Sequence, residues 1–120
     1  SGKVPYTAFS ARKSYIEENP EVIQGFTNAI QRGMDYVATH SVDEIAETIH
    51  PQFPETDIDT VKIIVGRYYN QDTWKQDTVF EENSLNLLQD ILDEAGELSQ
   101  RVPYEDIITT DFSEKALINK

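Results

Sequence analysis

Apolar residues in this chain recur at steps of three and four between residues that start and stop helices. That punctuation constrains the fold more than any other feature. Asn19-Pro20-Glu21 is a helix start: Asn accepts from orphan amides, Pro at the first position gives up no needed donor, and Glu meets the positive dipole end. The helix it opens carries Val22, Phe26, Ile30, Met34 and Val37 on one face, with Ile23 and Ala29 beside them. Gly25 and Gly33 weaken it by about 1 kcal/mol each relative to Ala and leave room for a neighbouring helix. Ser41-Val42-Asp43-Glu44 is a capping box that opens a short helix with Ile45, Ala46 and Ile49 inward. Pro51 and Pro54 end it. Thr56 or Asp57 starts the next helix, whose stripe is Ile58, Val61, Ile64, Val65 and Tyr68. Thr78 is expected to cap a further helix, with Glu81 completing the box. Its seam is Leu85, Leu88, Ile91, Leu92 and Ala95, and Gly96 stands where a left-handed residue closes a helix.

The ends are less regular. Val4 to Phe9 is apolar and β-leaning with Pro5 near its start, which predicts a brief extended segment at a sheet edge. Ser10 is expected to cap a helix reaching Asn19, with Tyr15 and Ile16 on its buried side. Pro103 begins a short turn or helix, and Asp111 or Ser113 caps a last one containing Ala116 and Leu117. The expectation is a mainly α chain of five to six amphipathic helices, with at most one or two short N-terminal strands. Residues 1–120 form a single domain without internal repeats.

Composition narrows the function classes. A net charge of −12 repels phosphate backbones and anionic lipid surfaces, and the ten Lys and Arg form no basic stripe, so nucleic acid is not an expected partner. With no cysteine there is no disulfide, thiol catalysis or thiolate metal site. No apolar run approaches the roughly 20 residues of a membrane span. The start Ser1-Gly2-Lys3-Val4-Pro5 reads as the edge of a piece cut from something longer, in which case a missing leader says nothing about export.

Candidate chemistry is sparse. His40 and His50 each fall near a helix end, where they suit the negative dipole terminus; neither belongs to a spaced zinc-ligand motif. Asp90, Asp93, Glu94 and Glu97 crowd one solvent side of a helix. Asp57-Ile58-Asp59 is too short for a calcium loop. No nucleophile elbow, P-loop or dinucleotide fingerprint is present. The sequence therefore predicts no enzyme, no catalytic residue, no cofactor and no metal. Trp74 is the odd feature, a large ring among Gln71, Asp72, Thr73, Lys75, Gln76 and Asp77. It either folds back as a lid on the core or faces a ligand by stacking and one indole hydrogen bond. Tyr68 fits the core stripe, and Tyr69 is less determined. Trp74 and Tyr69 are the candidate ligand-contact residues.

Several passages together resemble a known family. Tyr6-Thr7-Ala8-Phe9, then Lys13-Ser14-Tyr15-Ile16-Glu17-Glu18-Asn19-Pro20-Glu21-Val22-Ile23, is similar to its strand and Asn-Pro-Glu helix start. Phe26-Thr27-Asn28-Ala29-Ile30 through Tyr36-Val37 and His40-Ser41-Val42-Asp43-Glu44 is similar to its next passage, with His-Ser in place of Asn-Pro. Trp74-Lys75, Leu88-Gln89-Asp90-Ile91 and Ala95-Gly96-Glu97-Leu98 resemble its closing helices. The family is the ABC-transporter substrate-binding proteins of the nitrate/sulfonate/taurine and thiamine-precursor group.

The resemblance implies the C-terminal helical segment of a two-lobed protein with the type II periplasmic-binding-protein-like α/β fold. It implies a small nitrogen- or sulfur-containing solute (nitrate, a sulfonate such as taurine, or a pyrimidine precursor) and an ABC permease as partners. It also implies a place in the periplasm or, as a lipoprotein, on the extracellular face of the cell membrane. Contact with the membrane would run only through a lipid anchor or the permease, and the piece alone could form a homo-oligomer through surfaces the rest should cover. The alternative is a free-standing acidic helical protein-interaction module, which a surplus apolar face on the helix from Ile58 to Tyr69 would favour. A biosynthetic enzyme of the same superfamily ranks last, because the histidine- and cysteine-bearing motifs it needs are absent.

Overall fold

Helices follow the sequence punctuation closely, with informative departures. The structure is a computed structural model and describes residues 4–118. Its elements are α1 (Lys13–Glu18), α2 (Pro20–Thr39), α3 (Val42–Ile49), a 3-10 turn (His50–Gln52), α4 (Ile58–Asn70), α5 (Glu82–Glu94), α6 (Tyr104–Ile107) and α7 (Asp111–Ile118). Among the described residues there is no strand, so the chain is mainly α. Val4 to Phe9 is not helical, as expected, but it forms no edge strand, because a strand requires a ladder partner and none lies alongside it.

The caps explain several boundaries. At α3 the Ser41 hydroxyl accepts from the Glu44 amide at 3.2 Å while the Glu44 carboxylate reaches back to Ser41, the full reciprocal box. At α4 Asp57, rather than Thr56, is the cap and accepts from the Thr60 amide at 2.9 Å. Four predicted caps fail, among them that of α7, where Asp111 and Ser113 both lie inside the helix. Arg12 occupies the cap position of α1, two residues beyond Ser10. Asn19 precedes Pro20 as expected, but its side-chain amide donates back to the Tyr15 carbonyl at 3.4 Å instead of accepting from α2. Residues 78–81 are not helical and α5 begins at Glu82, so Thr78 caps nothing; its carbonyl is committed elsewhere. At the other end of α5, Gly96 (φ 75°) completes a Schellman motif, with its amide on Asp93 O at 3.0 Å and the Glu97 amide on Leu92 O at 2.9 Å.

The core is small and off-centre. Ile45 and Ala46 of α3 pack against Val61 and Val65 of α4, flanked by Tyr36, Val37, Val42, Ile49, Ile58 and Trp74. Elsewhere the most buried side chains are polar: Gln31 on α2, Gln89 on α5 and Ser113 on α7, beside Leu85 and Ala116. The expected apolar face of α2 is therefore only partly used. Ile30, Met34 and Val37 are half-buried, but Val22 and Phe26 remain largely open. On α5 Leu85 is buried while Ile91 is exposed, and on α4 both Ile64 and Tyr68, expected in the core stripe, keep almost half their surface in water.

These open faces add up. The accessible surface is 9031 Å², against roughly 6,600 Å² for a folded monomer of this mass. The Cα radius of gyration is 16.9 Å, against roughly 14 Å for a compact domain of this length. The helices are well formed and pack in pairs, α3 with α4 and α2 with α7, but they do not close around one common core.

Candidate functional site

The Trp74 region is built by the way α4 ends. Asp72 takes a left-handed backbone (φ 53°), as Gly96 does. Its amide donates to Tyr69 O and that of Thr73 to Tyr68 O, both at 3.1 Å, so α4 closes in a Schellman motif centred on an aspartate. Short polar Asp tolerates this conformation better than most residues. The reversal throws Trp74 back over the helix, where its ring stacks on Tyr68 at a centroid distance of 5.9 Å and 30° between planes. Trp74 also packs against the Ile45–Ala46–Val61–Val65 cluster, so the lid geometry is the one adopted. Tyr69, the other candidate contact, lies one step round the helix and faces solvent. A shallow depression on the outer side of α4 is lined by Ile64, Arg67, Tyr68 and Gln71. Tyr68, read from sequence as core, thus forms the link between that surface and Trp74.

Downstream of Trp74, residues 75–80 are fixed by side chains that seize successive carbonyls. Gln31 Nε2 donates to Gln76 O at 2.9 Å, Ser113 Oγ to Thr78 O at 3.0 Å, Lys75 Nζ to Val79 O, and the Tyr104 hydroxyl to Phe80 O. Asp77 Oδ1 accepts from the Val79 amide at 3.0 Å. The donors come from α2, the loop itself, α6 and α7, so this loop is the joint of the molecule. Burial, with Glu82, Glu114 and Glu81 adding negative field, pushes the Tyr104 phenol above its ordinary value of 10.0, which keeps it a protonated donor. A similar clamp holds the next loop: Gln89 Nε2 donates to Val102 O at 3.2 Å and Gln89 Oε1 accepts from the Val102 amide at 2.6 Å.

The remaining candidates have structural partners. His40 Nδ1 lies 2.7 Å from Tyr36 O, with its ring stacked on Tyr36 at 3.6 Å, and closes α2. His50 Nε2 lies 2.8 Å from Thr56 O and closes α3. Asp90, Asp93, Glu94 and Glu97 are exposed, and Asp90 pairs with Arg101 at 2.9 Å. No three His, Asp or Glu among the described residues converge as a metal site. Chemically, the Trp74 region can stack flat groups and exchange hydrogen bonds; no base is poised beside a nucleophile there. Sequence reasoning missed Gln31, Gln89, Ser113 and Asp72. Only Asp72 carried a signal, since Asp is among the few residues other than Gly that accept positive φ.

Comparison with known proteins gives one clear match. The chain is 35% identical over all 120 of its residues to "Putative binding protein YtlA" of Bacillus subtilis (strain 168). It spans 36% of that relative's length, so it corresponds to about a third of it. No protein-family model matches the chain, and no solved structure matches it.

Proposed function

We propose that this chain is the C-terminal helical part of the solute-binding component of an ABC importer. In this reading it helps to hold a small nitrogen- or sulfur-containing solute, such as nitrate, taurine, another sulfonate or a pyrimidine precursor, for delivery to a membrane permease. The observation that carries the reading is the end-to-end match to a binding protein nearly three times as long. Two further facts support it. The chain exposes far more surface than a self-sufficient domain of its size, as a part separated from its neighbours would. The passages that resemble the nitrate/sulfonate/taurine and thiamine-precursor group also run nearly from one end of the chain to the other.

The role is capture without covalent chemistry, by closure of two lobes around the solute. Tyr69, which faces solvent, contributes by stacking near the cleft, while Trp74, folded onto the core, braces the neighbouring Tyr68 ring. The protein works on the outer side of the cell membrane, in the periplasm or as a lipoprotein. No described helix is long and apolar enough to cross a membrane.

The test is thermal denaturation of the full-length gene product against nitrate, taurine, longer alkanesulfonates and aminopyrimidines. A ligand at a hundredfold excess over its Kd contributes about 2.7 kcal/mol, which is several degrees in Tm. A flat response across the whole panel would remove the importer reading. A second reading, a free-standing helical interaction module, is favoured by one feature: Ile63, Ile64, Tyr68 and Tyr69 leave an apolar face open on α4. A gene product no longer than this chain would decide for it.

A further inference from the structure

We propose that the seam between α2, α7 and residues 76–78 is an internal hydration site. One ordered water bridges Gln31 Oε1 and Thr78 Oγ1, and a second meets Gln24 Oε1. The inference stands apart from the reading of the chain as part of an importer.

Gln24 Oε1, Gln31 Oε1 and Thr78 Oγ1 are buried without a hydrogen-bond partner among the described residues. They gather where α7 and the loop after Trp74 lie on one face of α2. Gln24 and Gln31 are seven residues apart, two helical turns, so they share that face. Each grips a neighbour through its amide nitrogen. Gln24 Nε2 donates to Phe112 O and to Asn28 Oδ1, both at 2.9 Å. Gln31 Nε2 donates to Gln76 O at 2.9 Å and to Asp35 Oδ1 at 3.0 Å. These acceptors fix which way each amide is turned. Turning either one over would set its oxygen against the backbone carbonyl that its nitrogen now holds. Both Oε1 atoms therefore remain acceptors to which no protein group donates.

Gln31 carries the argument. Only 1% of it is accessible, so bulk solvent does not reach its oxygen. A buried amide oxygen left unmet forfeits its hydration with nothing in return. Folded proteins meet such atoms with internal water, which needs two to four polar partners. The seam supplies them. Gln31 Oε1 accepts, the Thr78 hydroxyl both donates and accepts, and the Gln76 and Thr78 carbonyls each keep a second lone pair beside the one in use. Gln31 holds the loop at Gln76, and Ser113 holds it from α7 at Thr78, two residues on. Gln24 stands about 10 Å farther along α2, beyond reach of the same molecule, so its oxygen takes its own.

The chemistry selects water over other small occupants. The unmet oxygens are neutral, and no three His, Asp or Glu among the described residues converge, so a cation finds too little charge to replace its hydration shell. A solute the size of a sulfonate cannot reach a side chain so enclosed without parting α2 from α7.

A high-resolution crystal structure of the full-length gene product reads the site directly. Density is expected within hydrogen-bond distance of both Gln31 Oε1 and Thr78 Oγ1. Thr78→Val removes the hydroxyl and keeps the side-chain shape. It takes one bond from the water, so that density should weaken and amide exchange of residues 76–80 should quicken roughly fivefold. Exchange that is unchanged or slower overturns the proposal, because replacing a hydroxyl that had no partner relieves a burial cost. So does a crystal structure in which either oxygen takes its bond directly from a protein group, or in which the bound atom lies at metal-ligand distance. Thr78→Ser keeps the hydroxyl and should keep the density. Its loss there too would make the methyl group the determinant and overturn the bridge.

Discussion

Two halves of this molecule are held together by different forces. The α3–α4 half is closed by apolar contact: Ile45, Ala46, Val61 and Val65 are buried together under Trp74, and both helices carry side-chain caps. The half made by residues 20–31 of α2, by α5 and by α7 is closed by polar clamps. Its buried set includes Gln31, Gln89 and Ser113, each donating to a loop carbonyl, and its large apolar residues Val22, Phe26 and Ile91 stay open. Dispersion and hydrophobic burial need no particular partner atom, so the first half is self-sufficient. Hydrogen bonds contribute little net stability but cost much when broken, so the second half has a defined shape with little free energy behind it. Such a half is suited to completion by another structure.

The comparison breaks most sharply at Ile45. Ile45→Ala leaves a cavity in the apolar cluster of α3 and α4 and should cost about 3 kcal/mol, measured by denaturant unfolding. If the halves are independent, amide protection falls in α3 and α4 and persists in α5 and α7. A uniform loss would show that the chain unfolds as one unit and that the division is only geometric. Gln31→Leu probes the other half. It keeps the volume but strips the donor from Gln76 O, and should cost about 1 to 2 kcal/mol, with faster exchange confined to residues 75–80 and α7. An effect on α3 and α4 as large as that of Ile45→Ala would erase the contrast.

The two halves were also unequally legible in the sequence. Ser41-Val42-Asp43-Glu44 announced its helix because a capping box is local, and Ile45, Ala46, Val61 and Val65 followed from spacing alone. Gly96 was legible for the same reason, since only backbone conformation is at stake. Thr78 failed because its neighbourhood is set by Ser113, thirty-five residues away, which no window around Thr78 contains. Val22, Phe26 and Ile64 failed differently. Periodicity reported the face that wants cover, not whether this chain supplies it. The same blindness affects the site: stacking of Trp74 on Tyr68 depends on a left-handed Asp72, and the residues around Trp74 are polar with no pattern that points to the ring's partner.

The end of α5 gives a smaller and cleaner test. Gly96 has open space where a Cβ would be built, so Gly96→Ala tests conformation without clash. Its positive φ makes the side chain unfavourable by about 1 kcal/mol. The loss should appear as a lower unfolding midpoint with unchanged slope. Because the Schellman motif aims the chain toward the Gln89 clamp on Val102, the variant should also speed exchange of the Val102 amide. A midpoint equal to the parent's would mean that the loop, not the glycine, sets the turn.

The smallest expected effect is a pH dependence that belongs to one half only. Glu44 is held below its ordinary 4.5 by the bonds from Ser41, with His40 adding to them. Asp57 is held below 3.8 by the Thr60 amide and hydroxyl. A carboxylate whose folded pKa is depressed binds protons more readily in the unfolded chain, so its contribution is complete above the unfolded value and disappears as pH falls through the folded one. Both groups lie at helix N-termini of the α3–α4 half, so acidification from about pH 5 downward should fray the first turns of α3 and α4. Both carboxylates are exposed, so the change is modest and screened by salt. The double variant Glu44→Gln, Asp57→Asn should flatten the local titration of the Ile45 and Val61 amides while leaving those of Leu85 and Ala116 untouched. A titration at Leu85 that also vanished in this variant would mean that the caps act across the joint formed by residues 75–80.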